Sequence, residues 1–296
     1  MPDFAIIFAF LHHAKIKEGI LFDQIIVIYC ICDEVFKALN VSEDLQSKMS
    51  NAEVVTFALL SSLYYGGNYQ KTRMIAKYHG YFHSMLSLSR MNRRIHSFPE
   101  HIWMLIFQAL QLILKNPNNK SFIIDSFPVK AYENHKSFRA KIFSDKRFHG
   151  YTASKKSFFF GIKVNMVVDK DGVPIEFSFT PGGSSDCKNM QDLSLQLPEH
   201  SLLLGDAAYT CYEFEDLLAE TEMIDLLVKR KANLKRQNKP TENFLLSRNR
   251  NIIETVFSSI TSRMPRYIKA RTEKGFCLKI FFFILAYMVN LYFPVS

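Results

Sequence analysis

The run FFFGIKVNMVVDKDGVPIEFSFT, residues 158–180, holds two segments rich in β-branched and aromatic residues on either side of DKDG. Such segments favour strands, and an Asp-Gly pair between them favours a tight turn. DKDG also resembles the start of a calcium-binding loop, but the later ligands of an EF-hand loop are missing from the residues that follow. We therefore predict an antiparallel hairpin near the middle of the chain.

Apolar runs continue the strand pattern on both sides of this hairpin, with helical segments between them. Extended patterns are SFIIDSFPV (121–129), LLLGDAAY (202–209) and MIDLLV (223–228). Helical patterns are MQDLSLQL (190–197) and YEFEDLLAE (212–220). Strands that first follow one another and then alternate with helices predict an α/β fold, a mixed sheet flanked by helices.

In the first hundred residues, apolar side chains recur with the period of a helix and not with that of a strand. Apolar side chains recur at helical spacing in residues 20–48 and 51–65, and Ser50 with Glu53 forms a capping-box signature. The segment HIWMLIFQALQLILKN, residues 101–116, has the pattern of a linking helix. The sequence therefore predicts an all-helical N-terminal region before the sheet.

Charge and cysteine content narrow the class of protein. The chain has 296 residues, 48% of them hydrophobic, and a net charge of +9, which favours a polyanionic partner such as nucleic acid or an anionic membrane surface. Its five cysteines are odd in number and lack CxxC spacing, so we interpret them as reduced cytosolic thiols. The apolar segment 276–293 approaches membrane length, but we interpret it as a buried amphipathic helix.

Three acidic residues stand out against this background. Asp125 and Asp206 each follow an apolar extended run, and strand ends are where open α/β sheets place binding groups. Glu254 lies in RNRNIIETVFSSITSRM (248–264), a helical pattern with a buried stripe. Taken alone, Glu254 would be interpreted as the partner of Arg250, one turn earlier, in a solvent-exposed ion pair. Together, two aspartates and a glutamate suit hard cations such as Mg²⁺, which phosphodiester cleavage requires.

Four motifs in order resemble the catalytic domain of DDE transposases of bacterial insertion sequences. They are IIDSFPV (123–129), FFFGIKVNMVVDKDGVPIEFSFTPGGSSD (158–186), LLLGDAAY (202–209) and RNRNIIETVFSSI (248–260). SRMNRRIH (89–96) is similar to insertion-sequence family 982. The resemblance implies an RNase H-like fold with Asp125, Asp206 and Glu254 as a catalytic triad that binds two Mg²⁺ or Mn²⁺ ions.

The resemblance also implies an activity and its partners. The protein would cut double-stranded DNA at the terminal inverted repeats of an element and join the ends to target DNA, as a homodimer on DNA. It would act in the bacterial cytoplasm, associated with the nucleoid, and not at a membrane. We accordingly predict a DNA-binding helical region over 1–98, a linking helix over 99–120, a catalytic domain over 121–264 and a helical closure over 265–296.

Basic residues cluster where the DNA backbone would lie. Eight lie between Lys130 and Lys156, and six lie in KRKANLKRQNKP (229–240), a tract that could otherwise be a solvated loop. His135 and His149 lack a metal-ligand spacing, and we interpret them as surface or DNA-contacting residues. The predicted DNA contacts are Arg90, Arg93, Arg94, Lys155, Lys156, Lys229, Arg230, Lys231, Lys235, Arg236 and Arg250.

Two other functions compete with this one. A phosphatase of the haloacid dehalogenase type needs a second acid two residues after its nucleophile, and Phe127 stands there after Asp125. A decayed transposase that only binds DNA stays open, because an intact triad does not guarantee activity.

Overall fold

The computed structural model describes residues 20–43, 46–132, 141–152 and 156–293. In these ranges the helices are α1 (Ile20–Ala38), α2 (Asn51–Tyr64), α3 (Tyr69–Tyr78), α4 (Leu88–Ser97), α5 (Glu100–Leu114), α6 (Asp186–Gln191), α7 (Tyr212–Thr221), α8 (Pro240–Arg263) and α9 (Glu273–Tyr292). The strands are β1 (Ser121–Tyr132), β2 (His149–Thr152), β3 (Ser157–Asp169), β4 (Pro174–Pro181), β5 (Ser201–Gly205) and β6 (Ile224–Val228). The chain folds into two compact units.

One unit is helical and falls within Met1–Lys115, Ile260–Arg266 and Leu278–Ser296. Its helix α2 begins at the predicted capping box. The Ser50 hydroxyl accepts the Glu53 N–H at 3.1 Å, and the Glu53 carboxylate accepts the Ser50 N–H at 2.7 Å. These bonds satisfy two of the donors that a helix start leaves free, so the helix begins at a defined residue.

Helix α9 contributes most of its length to this helical unit. It is long and apolar enough to cross a membrane, yet 67% of its most apolar window is buried inside the structure. The ring of Phe282 lies edge-on against Trp103 of α5, with 5.1 Å between ring centroids. Such burial is that of a core helix, as the sequence predicted.

The other unit, Asn116–Ser259 with Tyr267–Cys277, contains a six-stranded mixed sheet. Strand β3 pairs antiparallel with β1 along one edge and with β2 and β4 along the other. Strand β1 then pairs parallel with β5, and β5 pairs parallel with β6. The predicted fold class, a mixed α/β sheet with flanking helices after an all-helical N-terminal region, is confirmed by this architecture.

The predicted hairpin turn joins β3 to β4. The Asp169 carboxylate accepts the N–H groups of Asp171 and Val173, each at 2.9 Å, and Gly172 has a positive φ of 79°. A side chain that bonds its own turn in this way is the usual role of Asp in tight turns. DKDG is therefore a turn, as predicted.

The helix predicted over residues 190–197 was wrong in its extent. Helix α6 ends at Gln191, and the chain continues without regular structure to β5. The cause is Glu176 of β4, whose carboxylate accepts the N–H of Ser194 at 2.7 Å and of Leu195 at 2.9 Å. A tertiary contact thus replaces the helical bonds that the local pattern favoured.

The two faces of β1 have different surroundings. Phe122 and Ile124 belong to a buried cluster that includes Met190 of α6 and Leu218 of α7. On the opposite face, Phe127 packs against Phe257 of α8 at 4.6 Å between ring centroids. Because side chains alternate along a strand, Asp125 lies on the α8 side of the sheet.

Candidate active site

Asp125 and Asp206 occupy matching positions on neighbouring strands. Ile123 of β1 pairs with Leu204 of β5 in parallel register, and each aspartate stands two residues further along its own segment. Neighbouring strands lie about 4.8 Å apart, so this register brings the two carboxylates to one place on the α8 side of the sheet. Asp206 directly follows the last residue of its strand, as predicted, whereas β1 continues past Asp125 because β3 pairs with it.

The environment of Asp125 opposes its negative charge. Burial, together with the negative charges of Asp206 and Asp186, raises the pKa of Asp125 to about 7. The N–H of Ser126, which donates to the carboxylate at 2.7 Å, and the positive charge of Arg250 oppose this rise. The site therefore holds a carboxyl that gives up its proton near neutral pH.

Asp206 is fixed by the turn that follows β5. Its carboxylate accepts the N–H of Ala208 at 2.7 Å and so begins the 3-10 helix Ala207–Tyr209. Gly205, just before it, leaves little room for a side chain, since a Cβ there would lie 3.2 Å from side-chain atoms of Ile124 and Val228. The GDAAY motif thus sets Asp206 at the edge of a tightly packed strand end.

Both aspartates line a pocket of about 540 Å³ between the strand ends and α8. Its walls also carry three basic residues, Lys229, Arg230 and Arg250. Apolar side chains and two polar ones complete the lining: Ile123, Ile124, Leu204, Leu246, Ile253, Asn243 and Ser247. The pocket therefore presents both signs of charge to a ligand.

Glu254 does not line this pocket. Its carboxylate accepts a hydrogen bond from Arg250 Nε at 2.8 Å, one turn earlier on α8, and both side chains are about half exposed (55% for Arg250 and 52% for Glu254). Among the residues that the structure describes, no group of three His, Cys, Asp or Glu is placed to share a metal ion. The structure brings Asp125 and Asp206 together and leaves Glu254 outside, so the triad stays a prediction.

Arg250 links the three acids electrostatically. Its bond to Glu254 raises the pKa of the Arg250 guanidinium, and the charges of Glu254, Asp125 and Asp206 raise it further. A permanent positive charge near all three carboxylates offsets part of their mutual repulsion. Arg250 is thus a member of the site in its own right.

Asp186, the last residue of the second motif (158–186), is also part of the site's surroundings. Its carboxylate accepts the Ser126 hydroxyl at 2.9 Å and the Lys163 ammonium at 3.1 Å. Lys163 also donates to the backbone of Ser184 at 2.9 Å. This network holds the start of α6 against β1 directly beside Asp125. In the sequence, the only signal for this role is the acidic residue at the end of GGSSD (182–186).

The basic tract 229–240 is divided between anchoring and exposed residues. Arg230 makes a bidentate ion pair with Glu215 of α7, at 2.7 and 2.5 Å, and both side chains are only 7% exposed. Arg236 pairs with Asp216 at 2.6 and 2.8 Å. The lysines Lys229, Lys231 and Lys235 are exposed. The two arginines thus have partners within the protein, and the lysines face solvent.

The other predicted DNA contacts are placed as follows. Arg90 and Arg93 are exposed on α4, whereas Arg94 donates to the backbone of Met49 at 3.1 Å and to Asn51 at 2.5 Å. Lys156 is exposed at the start of the β3 segment. Lys155 and His135 lie outside the described residues.

Comparisons with known proteins bear on this site. Residues 118–291 match a family model described as the transposase DDE domain. The crystal structure of the Mos1 mariner paired end complex with Mn is 11% identical over 80% of this chain and 88% of that chain, with a TM-score of 0.22. A likeness this weak carries no argument about fold or function. No curated protein sequence matches the chain.

Proposed function

The chain belongs to the transposases with a DDE domain, and from that premise we propose that it cuts DNA strands at the ends of an insertion sequence and joins them to target DNA. The family acts in the recombination of mobile elements. The observation that supports the chemical steps is the matching register of Asp125 and Asp206 on adjacent parallel strands. We place the protein in insertion-sequence family 982 and in the bacterial cytoplasm, at the nucleoid.

The aspartate pair fits the divalent cations that this family uses. Carboxylate oxygens are the ligands that Mg²⁺ and Mn²⁺ prefer, and a cation would offset the repulsion that contributes to the raised pKa of Asp125. When bound, two such ions supply an activated water or 3′-hydroxyl and charge neutralisation at the leaving oxygen. We propose that Asp125 and Asp206 hold them and that Glu254, after leaving Arg250, completes the set.

The remaining residues of the pocket would position the DNA strand. Lys229 and Arg250 line the same pocket as the aspartates, where their charges would meet backbone phosphates. Asp125 and Asp206 would orient the attacking oxygen from the sheet side, and α8 would cover the strand from the other. Arg230, held by Glu215, would shape the wall of the pocket.

Cleavage of DNA that carries the element ends tests this function. Wild type with Mg²⁺ or Mn²⁺ should nick the duplex, and Asp125→Asn and Asp206→Asn should abolish nicking while leaving DNA binding intact. Asp225→Asn, an exposed aspartate on β6, is the matched control and should nick like wild type. Nicking by Asp125→Asn at the wild-type rate would refute the assignment. Binding without any nicking by the wild type would support a decayed transposase.

We further propose that the helical N-terminal region binds the element ends through Arg90 and Arg93, and that two copies hold the two ends together. The domain limits predicted from the sequence, 1–98, 99–120, 121–264 and 265–296, belong to this proposal. Light scattering with and without end DNA tests the homodimer. A monomeric complex that performs strand transfer would contradict it.

A further inference from the structure

Five aromatic rings form a continuous run across three strands of the sheet, which we call the aromatic platform. The strand register sets His149 opposite Phe160 and Tyr151 opposite Phe158. The members and their centroid distances are Tyr132 to Phe160 at 5.4 Å, Phe160 to His149 at 4.8 Å, His149 to Phe158 at 5.0 Å, and Phe158 to Tyr151 at 4.9 Å. Three of these four contacts are stacked, with interplanar angles of 16°, 27° and 22°.

The platform is exposed where a strand pair would be expected to bury its rings. Phe158 is 54% exposed and Tyr151 is 50% exposed, whereas Phe159, on the other face of the same strand, is 1% exposed. His149 is exposed as well. Cross-strand aromatic pairs stabilise sheets, but a cluster of half-exposed rings also marks a binding surface.

The platform lies on the same face of the sheet as Asp125. Asp125 pairs with Met166 of β3, and residues at even positions from Met166 to Phe158 share one face of that strand. The bulge between Lys130 and Tyr132 keeps Tyr132 opposite Phe160. At ~3.3 Å per residue, the platform lies roughly 20–26 Å along the strand from Asp125. That distance corresponds to about six to eight nucleotides of a fully stacked strand at ~3.4 Å each, and to fewer nucleotides of an extended strand.

Positive side chains lie next to the platform along the chain. Lys146, Arg147 and Lys156 are exposed on the segments that directly precede β2 and β3, and the Arg147 guanidinium lies 4.7 Å from the centroid of the Phe148 ring. The acid among them, Asp145, uses its carboxylate to accept the N–H of Arg147 at 2.8 Å. Stacking surfaces flanked by cations are how proteins bind single-stranded nucleic acid, with phosphates on the cations and bases on the rings.

We propose that the aromatic platform binds unpaired bases of single-stranded DNA. Phe158 and Tyr151 keep about half of their surface open to solvent, which leaves ring surface for the face of a base, whereas in a duplex the base faces are already covered by their neighbours. A strand that has been cut at an element end can unpair at that end and expose its bases, so the role of the platform rests on the proposed function. The binding itself is measurable without cleavage.

Binding of a fluorescent oligothymidylate, followed by anisotropy, tests the platform. The double variant Tyr151→Ala with Phe158→Ala should bind the oligonucleotide roughly tenfold more weakly, since stacked bases depend on their aromatic partners, and should bind duplex DNA like wild type. Phe244→Ala removes another exposed aromatic of the same unit, 63% exposed on α8, and should change neither affinity. Tyr151→Phe with Phe158→Tyr should keep wild-type affinity, because the ring faces remain.

Photocrosslinking locates the contact. An oligonucleotide with 5-iodouracil should crosslink to Tyr151 or Phe158, and peptide mass spectrometry would identify the site. Crosslinks elsewhere, or unchanged single-strand affinity in a double variant that unfolds at the wild-type temperature, would overturn the proposal. A change of oligomeric state in that variant with unchanged affinity would assign the surface to a protein contact and would equally overturn it.

These outcomes are distinguishable from failure of the proposed function. If wild type nicks element ends but the double variant binds single-stranded DNA as tightly as wild type, the proposed role of the platform is wrong and the proposed DNA cleavage stands. If single-strand binding depends on the platform and no metal-dependent nicking occurs, the platform stands and the proposed DNA cleavage is wrong.

Discussion

At the scale of single residues, the site is defined by charged side chains that the fold holds close together, and their repulsion lowers the stability of the folded state. Asp125 is half-buried beside Asp206, and Arg250 offsets part of their repulsion while it donates to Glu254. Enzymes often tolerate such local conflict where function needs it. Two measurable consequences follow, one for stability and one for metal affinity.

The first concerns the pH dependence of unfolding. The pKa of Asp125 is raised from 3.8 to about 7, so the folded state keeps a proton that the unfolded state releases. This contribution to stability is complete below pH ~4 and is lost as the pH rises through ~7, by up to about 4 kcal/mol. Urea unfolding without metal should show this fall for wild type and for Asp225→Asn. Asp125→Asn should lack it and be the more stable protein at pH 8, and a fall of equal size in Asp125→Asn would contradict the account.

The second concerns Arg250. Replacing it by alanine removes a positive charge near both aspartates and frees Glu254, so Mn²⁺ should bind severalfold more tightly. Arg248→Ala, an exposed arginine on the same helix, is the control and should leave Mn²⁺ affinity unchanged. Titration calorimetry measures both. Weaker Mn²⁺ binding by Arg250→Ala would show that the arginine organises the acids and does not compete with the metal.

At the scale of elements, the connection from β6 to α8 depends on α7. Glu215 and Asp216 of α7 hold Arg230 and Arg236, and the Tyr212 ring lies 5.3 Å and 4.8 Å from their guanidinium carbons. The charge run alone predicted a DNA-binding tract or a solvated loop. It could not identify the anchors, because their partners lie 15 to 20 residues earlier on another helix.

The burial of the two ion pairs predicts very different effects on stability. Glu215→Ala should lower the free energy of unfolding by about 3–5 kcal/mol, because it leaves the buried Arg230 charge without its partner. Asp216→Ala breaks an exposed pair of similar geometry, which solvent screens, and should lower the free energy of unfolding far less. Urea unfolding of the two variants provides the comparison. Equal losses would mean that burial does not set the strength of these pairs.

The exposed lysines of this connection should carry its contact with DNA. Lys231→Ala with Lys235→Ala should reduce the slope of log affinity against log salt by up to about 1.8, since each duplex phosphate contact contributes ~0.9. Lys120→Ala with Lys170→Ala removes two exposed lysines at the opposite end of β1 and β3 and should leave the slope unchanged. An unchanged slope in Lys231→Ala with Lys235→Ala would show that residues 229–240 are a solvated loop that does not contact DNA.

At the scale of the whole molecule, the sequence predicted what local patterns encode. Strand propensity around DKDG, the Ser50–Glu53 capping box and the apolar runs before Asp125 and Asp206 were enough for the fold class. The end of α6 was missed because Glu176 captures its next amides, and the role of Asp186 was missed because its partners come from β1 and β3. Both misses arise from contacts distant in sequence.

The central claim is that Asp125 and Asp206 form the metal centre of a transposase. Titration calorimetry with Mn²⁺ at pH 8, on wild type, Asp125→Asn, Asp206→Asn and Asp225→Asn, tests it most directly. We predict that wild type and Asp225→Asn bind Mn²⁺ with equal affinity and that each of the other two variants loses this binding. Mn²⁺ binding by Asp125→Asn and Asp206→Asn at the wild-type affinity would contradict the claim.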